Sequence, residues 1–111
     1  MAKFMLLYVS PVSPDEMMAN ASPEEMQKVM EPWMAWFGRM GSAFVDVGAP
    51  LGHGANVTKE GSSGSKTQIG GYSIIQADDL KSVEALVADH PQFMMPGGSI
   101  EILELMPTPG M

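Results

Sequence analysis

The chain opens with an unbroken apolar run, Phe4-Met5-Leu6-Leu7-Tyr8-Val9, halted by Ser10-Pro11. Successive side chains of a strand point to opposite sides, so a run without polar alternation predicts a strand buried on both faces. A Pro/Ser/Asp connector follows over residues 10–21, with a short helical turn expected around 15–20. Ser22-Pro23-Glu24-Glu25 has the chemistry of a helix start. Ser22 can cap, Pro23 fits the first turn, and Glu25 closes a capping box at the positive end of the dipole. Met26, Val29, Met30, Trp33, Phe37 and Met40 then recur at helical spacing as one wide stripe, and Gly41 stops the helix. Pro32 inside this helix removes one hydrogen bond and predicts a kink near residue 28.

Ala43-Phe44-Val45-Asp46-Val47 predicts a second strand, ended by Gly48-Ala49-Pro50, and residues 52–68 are polar and glycine-rich, as in a long hairpin connection. A third strand is expected over Gly71–Gln76. Asp78 or Asp79 caps a second helix in which Leu80, Val83, Leu86 and Val87 share a face, closed by His90-Pro91. Ser99–Leu105 is the last strand, followed by a Pro/Gly tail over 107–110. The order predicts one α+β domain over residues 1–111, a ferredoxin-like βαββαβ unit whose antiparallel sheet carries both helices on one face. The other face of such a sheet is polar in a solitary subunit. Here the first strand puts Phe4, Leu6 and Tyr8 on one side and Met5, Leu7 and Val9 on the other. A homodimer that stacks two sheets across a two-fold axis is the expected cover, which makes the assembly a dimeric α+β barrel.

Composition narrows the partners. A chain of 111 residues buries roughly 60–70% of its unfolded surface around a single core. Only 17% of the residues are charged, consistent with part of the surface being covered by a partner. The net charge of −7, with six basic residues scattered and forming no stripe, argues against nucleic-acid binding. With no cysteine there is no disulfide, thiolate metal site or thiol nucleophile, and with two histidines no metal centre or other cofactor is expected. The run Phe4–Val9 is too short for a secretion signal or a membrane span, so a cytoplasmic protein without a membrane partner is expected.

The candidate chemistry is sparse. Gly61-Ser62-Ser63-Gly64-Ser65-Lys66-Thr67 has the composition of a phosphate loop. However, Ser65 and Glu60 stand where that motif needs glycine, and a strand rather than a helix follows. The stretch therefore reads as a hairpin loop. Asp46 alternates with Val45 and Val47. If the valines pack on the helices, its carboxylate faces the inter-sheet space, where desolvation suits a general base. His53, in Gly52-His53-Gly54, has the side chain for proton transfer near neutrality and is the candidate auxiliary acid. The alternative is a solvated loop histidine. Tyr8, Trp36 and Tyr72 are candidate ligand-binding residues, each a large apolar group with one polar handle. Trp36 lies at the margin of the helical stripe and is placed at a pocket rim or interface, whereas Trp33 reads as core. His90 at the end of the second helix has a sufficient structural explanation in the dipole, which favours a cation there.

In order along the chain, six segments resemble the YCII-related family and its DGPF-domain branch: Lys3-Phe4-Met5-Leu6-Leu7, Trp36-Phe37-Gly38-Arg39-Met40-Gly41, Gly48-Ala49-Pro50-Leu51, Gly70-Gly71-Tyr72-Ser73-Ile74-Ile75, His90-Pro91 and Gly98-Ser99-Ile100-Glu101-Ile102. The resemblance implies a dimeric α+β barrel enclosing a small cavity and, since most members have no assigned reaction, little about function. It also implies an acid/base dyad of a histidine early in the first helix and an aspartate after the second strand. The first helix here has no histidine, so the dyad does not carry over; His53 lies near the aspartate's place. The acidic stretch that gives the DGPF branch its name is replaced by residues 61–67. Two function classes stay open. One is a small-molecule-binding protein, whose catalytic form is a cofactor-free enzyme of proton-transfer or lyase type. The other is a protein–protein interaction or regulatory module without catalysis.

Overall fold

The computed structural model describes residues 2–11, 22–52, 54–95 and 97–106, without the side chains of Glu25, Met26 and Val29. The turn expected at 15–20, the capping box through Glu25, the candidate acid His53 and the tail at 107–110 lie outside the described residues.

The elements run β1 (Ala2–Val9), α1 (Pro23–Met40), a 3-10 turn (Gly41–Ala43), β2 (Phe44–Pro50), β3 (Ala55–Thr58), β4 (Gly61–Gly64), β5 (Ile69–Ala77), α2 (Leu80–Leu86), a second 3-10 turn (Pro91–Met94) and β6 (Ser99–Glu104). Four strands form one antiparallel sheet in the order β2-β5-β1-β6, the ferredoxin-like arrangement. The all-apolar β1 occupies a central position, paired with β5 on one side and β6 on the other. Asp79 caps α2 by accepting the Ser82 backbone N–H at 2.8 Å. Helix α1 runs through Pro32 as one element of 18 residues, although Pro32 supplies no N–H to the Lys28 carbonyl one turn back.

Residues 52–68 differ from a plain connection. β3 and β4 pair as a separate two-stranded sheet, with Ala55 opposite Gly64 and Thr58 opposite Gly61. Gly61-Ser62-Ser63-Gly64 is therefore extended backbone in a hairpin. The hydroxyls beyond it serve the chain itself: Ser65 Oγ accepts the Thr67 N–H and Thr67 Oγ1 accepts the Ile69 N–H.

Strand pairing sorts the side chains into two faces. Leu6 sits opposite Ser73 and Phe4 opposite Ile75, and this face is buried together with Trp36 from α1 and Val83 and Val87 from the α2 region. Each fully buried Phe, Leu, Ile or Val here contributes about 1.5–3 kcal/mol of hydrophobic stabilisation. The opposite phase of the sheet carries Met5, Leu7, Val9, Tyr72 and Ile74, all half-buried, and Leu103, which is 48% exposed. The expected barrel interior is thus a sheet face that the core helices do not use.

Candidate functional site

The described residues do not fill the helix-covered side of the sheet along its whole length. A cavity of about 640 Å³ opens between α1, the β2–β5 end of the sheet and the 3-10 turn after α2. Trp33 and Phe37 from α1 form one wall, and Val47, Gly48 and Ala49 the strand edge. Tyr8 and Ser73 lie on the sheet wall, and Gln92 and Met94 on the fourth side. The lining is overwhelmingly apolar. Lys28 is the single charged residue among the described lining residues.

Local sequence explains the opening. Gly48 has φ +83°, a left-handed conformation, and a Cβ built there would come within 1.8 Å of the Tyr72 carbonyl oxygen. Only glycine lets β2 approach β5 so closely. The pairing of β2 with β5 slips between Asp46 and Ala49, as in a β-bulge, and the Asp46 carboxylate accepts the Gly48 N–H at 2.8 Å. Across the sheet, Gly71 stands opposite Tyr8 and would place a Cβ 3.3 Å from the Tyr8 ring, so its missing side chain leaves the ring room.

Two polar side chains meet at the cavity wall. The Tyr8 hydroxyl donates to Ser73 Oγ at 2.7 Å, and Ser73 Oγ donates to the Val47 carbonyl at 2.7 Å. Burial pushes the Tyr8 phenol up to about 12, against the lowering effect of the Ser73 hydrogen bond, so it is protonated at neutral pH. The Tyr8 ring is held edge-on by Trp33, with centroids 4.7 Å apart at 86°, and His90 lies 5.0 Å away on another side.

His90 differs from the expected dipole-stabilised cation. It is 1% exposed, packed 4.7 Å from Trp33 and 4.1 Å from Trp36. Burial lowers its pKa to about 4, with the neighbouring Asp89 pulling the other way. It caps the 3-10 turn rather than closing α2: Nδ1 accepts the Gln92 N–H at 2.9 Å, which puts the proton of the neutral ring on Nε2. That Nε2 and Trp36 Nε1 have no hydrogen-bond partner among the described residues.

The residues singled out from sequence separate accordingly. Tyr8 and Tyr72 both border the cavity, although the register of Tyr72 opposite Leu7 gives its side chain the other face of the sheet from Tyr8. Trp36, expected at a rim, is 1% exposed and absent from the lining; Trp33, expected in the core, is the indole that faces the cavity. The stripe on α1 keeps Trp33, Phe37 and Met40 packed against the core but centres on Trp36 and leaves Met30 exposed. Asp46 is exposed, opposite Ile74 on the face away from the helices, and does not line the cavity. Val45 and Val47 are 45% and 48% exposed, so neither valine is packed into the core as the placement of Asp46 assumed. Sequence reasoning missed Ser73. Its signal was a lone hydroxyl in the apolar stretch Tyr72-Ser73-Ile74-Ile75, in phase with the buried Ile75. Among the described residues no three His, Cys, Asp or Glu side chains converge as metal ligands, and no helix is long and apolar enough to cross a membrane.

No protein of curated function matches this sequence. Among solved structures the fold is similar to 5-chloro-2-hydroxyhydroquinone dehydrochlorinase from Burkholderia phenoliruptrix AC1100, determined in complex with 2,5-dihydroxybenzoquinone. The TM-score is 0.53 at 15% identity, over 94% of this chain and 93% of that one. The sequence matches the YCII-related domain over residues 5–109. A match spanning nearly all of β1 through β6 covers the sheet, both helices and the cavity together, and the chain belongs to the YCII-related family.

Proposed function

We propose that this protein binds a small, largely apolar ring compound in the cavity beneath α1, with the Tyr8–Ser73 pair as the buried polar anchor. The single observation that carries the reading is the cavity itself. Its volume of about 640 Å³ lies in the range of small-molecule sites. Its apolar walls with a few converging polar groups have the expected make-up of such a site. The described residues leave this space open at a cost in packing energy that a bound ligand would offset. Trp33, Phe37 and Tyr8 offer aromatic surface to a flat ligand, and Lys28 offers a cation to an anionic substituent. Membership of the YCII-related family and the fold shared with a dehydrochlorinase bound to a dihydroxybenzoquinone support a ring-shaped ligand of this size.

Two copies are proposed to pair through the open sheet face. Met5, Leu7, Val9, Ile74 and Leu103 support this, because one apolar surface across a central strand needs a cover. Asp46 lies on that face rather than in the cavity, with Oδ1 accepting the Gly48 N–H, so the proposed binding of a ligand in the cavity does not involve it. The test of the binding proposal is a thermal-shift and calorimetric screen of substituted phenols, quinones and aromatic acids. A ligand at tenfold its dissociation constant adds about 1.4 kcal/mol, or roughly 5 °C in Tm for a domain of this size. Val47→Trp, which fills the cavity from its edge, abolishes the shift. Absence of any shift across the panel at millimolar ligand overturns the proposal.

A further inference from the structure

The hydrogen-bond chain at the cavity wall has a direction, and the direction selects ligands. The Val47 carbonyl can only accept. The 2.7 Å contact between it and Ser73 Oγ therefore commits the one hydroxyl proton of Ser73 to Val47. Ser73 then has no proton left for Tyr8, so the 2.7 Å contact between the two hydroxyls commits the Tyr8 proton to Ser73. What remains on Tyr8 Oη is lone pairs. The phenol keeps its proton throughout the neutral range, so this polarity does not reverse by ionisation. Tyr8 is 5% exposed and its ring packs against both Trp33 and His90, which fixes where that oxygen sits.

We infer that the cavity recognises a hydrogen-bond donor on its ligand: a phenolic, enolic or amine N–H or O–H that donates to Tyr8 Oη, in preference to a carbonyl or ether of the same shape. A carbonyl placed there faces lone pair against lone pair, and its own lost hydration is not replaced. The inference rests on the binding proposal and goes beyond it by naming the group that the ligand must carry.

The test compares 1-naphthol, a donor, with 1-tetralone, an acceptor of nearly the same size, and with naphthalene as the apolar reference. Affinities are measured by calorimetry or NMR titration on the native protein, Tyr8→Phe and Ser73→Ala. In the native protein 1-naphthol binds about tenfold more tightly than 1-tetralone, the worth of one hydrogen bond in a buried site. In Tyr8→Phe the ratio collapses to about one. In Ser73→Ala the Tyr8 hydroxyl has lost its acceptor and turns its proton to the ligand, so the ratio shifts at least severalfold towards 1-tetralone. A packing role for Ser73 alone lowers both affinities and leaves their ratio in place. Equal native affinity for donor and acceptor, with naphthalene also bound, overturns the inference and leaves the cavity reading intact. Binding of none of the three overturns both. Should either variant fail to fold, the native donor-to-acceptor ratio decides by itself.

Discussion

Between pH 7 and pH 5 acid should destabilise this protein mainly through His90. His90 is 1% exposed, its Nδ1 accepts a backbone N–H, and its ring touches Tyr8, Trp33 and Trp36. A proton added at Nδ1 removes the acceptor and places a cation in a buried aromatic cluster. Burial lowers the folded pKa to about 4 from the ordinary 6.5. Between those values the unfolded chain binds the proton and the folded chain does not. The stability contributed by the neutral ring is therefore complete above about pH 6.5 and is lost as pH falls towards 4. The full span corresponds to about 3 kcal/mol, of which about 2 kcal/mol is lost between pH 7 and pH 5. The assay is urea unfolding at a series of pH values, for the native protein and for His90→Asn, which retains a capping acceptor without a titrating ring. The Asp79 and Asp89 carboxyls, held low by Ser82 and Arg39 respectively, titrate in both proteins and largely cancel. The native protein should lose its advantage over the variant by about 2 kcal/mol from pH 7 to pH 5. Parallel pH profiles, or a His90 ring resonance titrating near 6.5, would refute the reasoning.

Other consequences are simpler to read. Gly48→Ala combines a left-handed backbone with a collision against the Tyr72 carbonyl, and should cost more than about 2 kcal/mol in chemical denaturation. Tyr8→Phe removes the bond to Ser73 while leaving Ser73 its bond to Val47, so stability should fall by only about 1 kcal/mol, with no change in secondary structure by circular dichroism. Ile75→Ala, in the fully buried core away from the cavity, should cost about 2–5 kcal/mol. Leu7→Glu places a charge on the open face and should convert a dimer to monomers in sedimentation equilibrium without abolishing the fold. An unchanged sedimentation mass would contradict pairing through that face.

The fold was legible because its signals are strong and local. The continuous run Phe4–Val9 marked the central strand, and Ser22-Pro23 and the pair Asp78-Asp79 marked helix starts within two residues of where α1 and α2 begin. The hairpin β3–β4 was hidden because Ala55–Thr58 and Gly61–Gly64 are exposed on every residue, so no apolar alternation announces them. The site was legible only in part. Tyr8 was found because a polar tip inside an apolar strand stands out. Trp33 and Trp36 differ by three positions on one helix, and a helical stripe alone does not say which indole meets the sheet and which meets empty space. That choice is made by tertiary packing, where Trp36 contacts Phe44 and His90 while Trp33 meets Tyr8. Alternation put Asp46 on the face away from the helices, opposite Ile74, but it could not show that the cavity lies on the other face or that Asp46 Oδ1 accepts the Gly48 N–H beside a bulge. His90 looked like a helix-end cation because sequence shows the dipole but not the aromatic cage.

The central claim, that the space beneath α1 is a ligand site, is tested most directly by a crystal structure of the protein soaked with 1-naphthol. The account predicts ring density between Trp33 and the sheet, with the naphthol oxygen within hydrogen-bond distance of Tyr8 Oη. Density confined to the open sheet face, or a cavity closed by inward movement of Trp33 and Phe37 with no ligand inside, would contradict it.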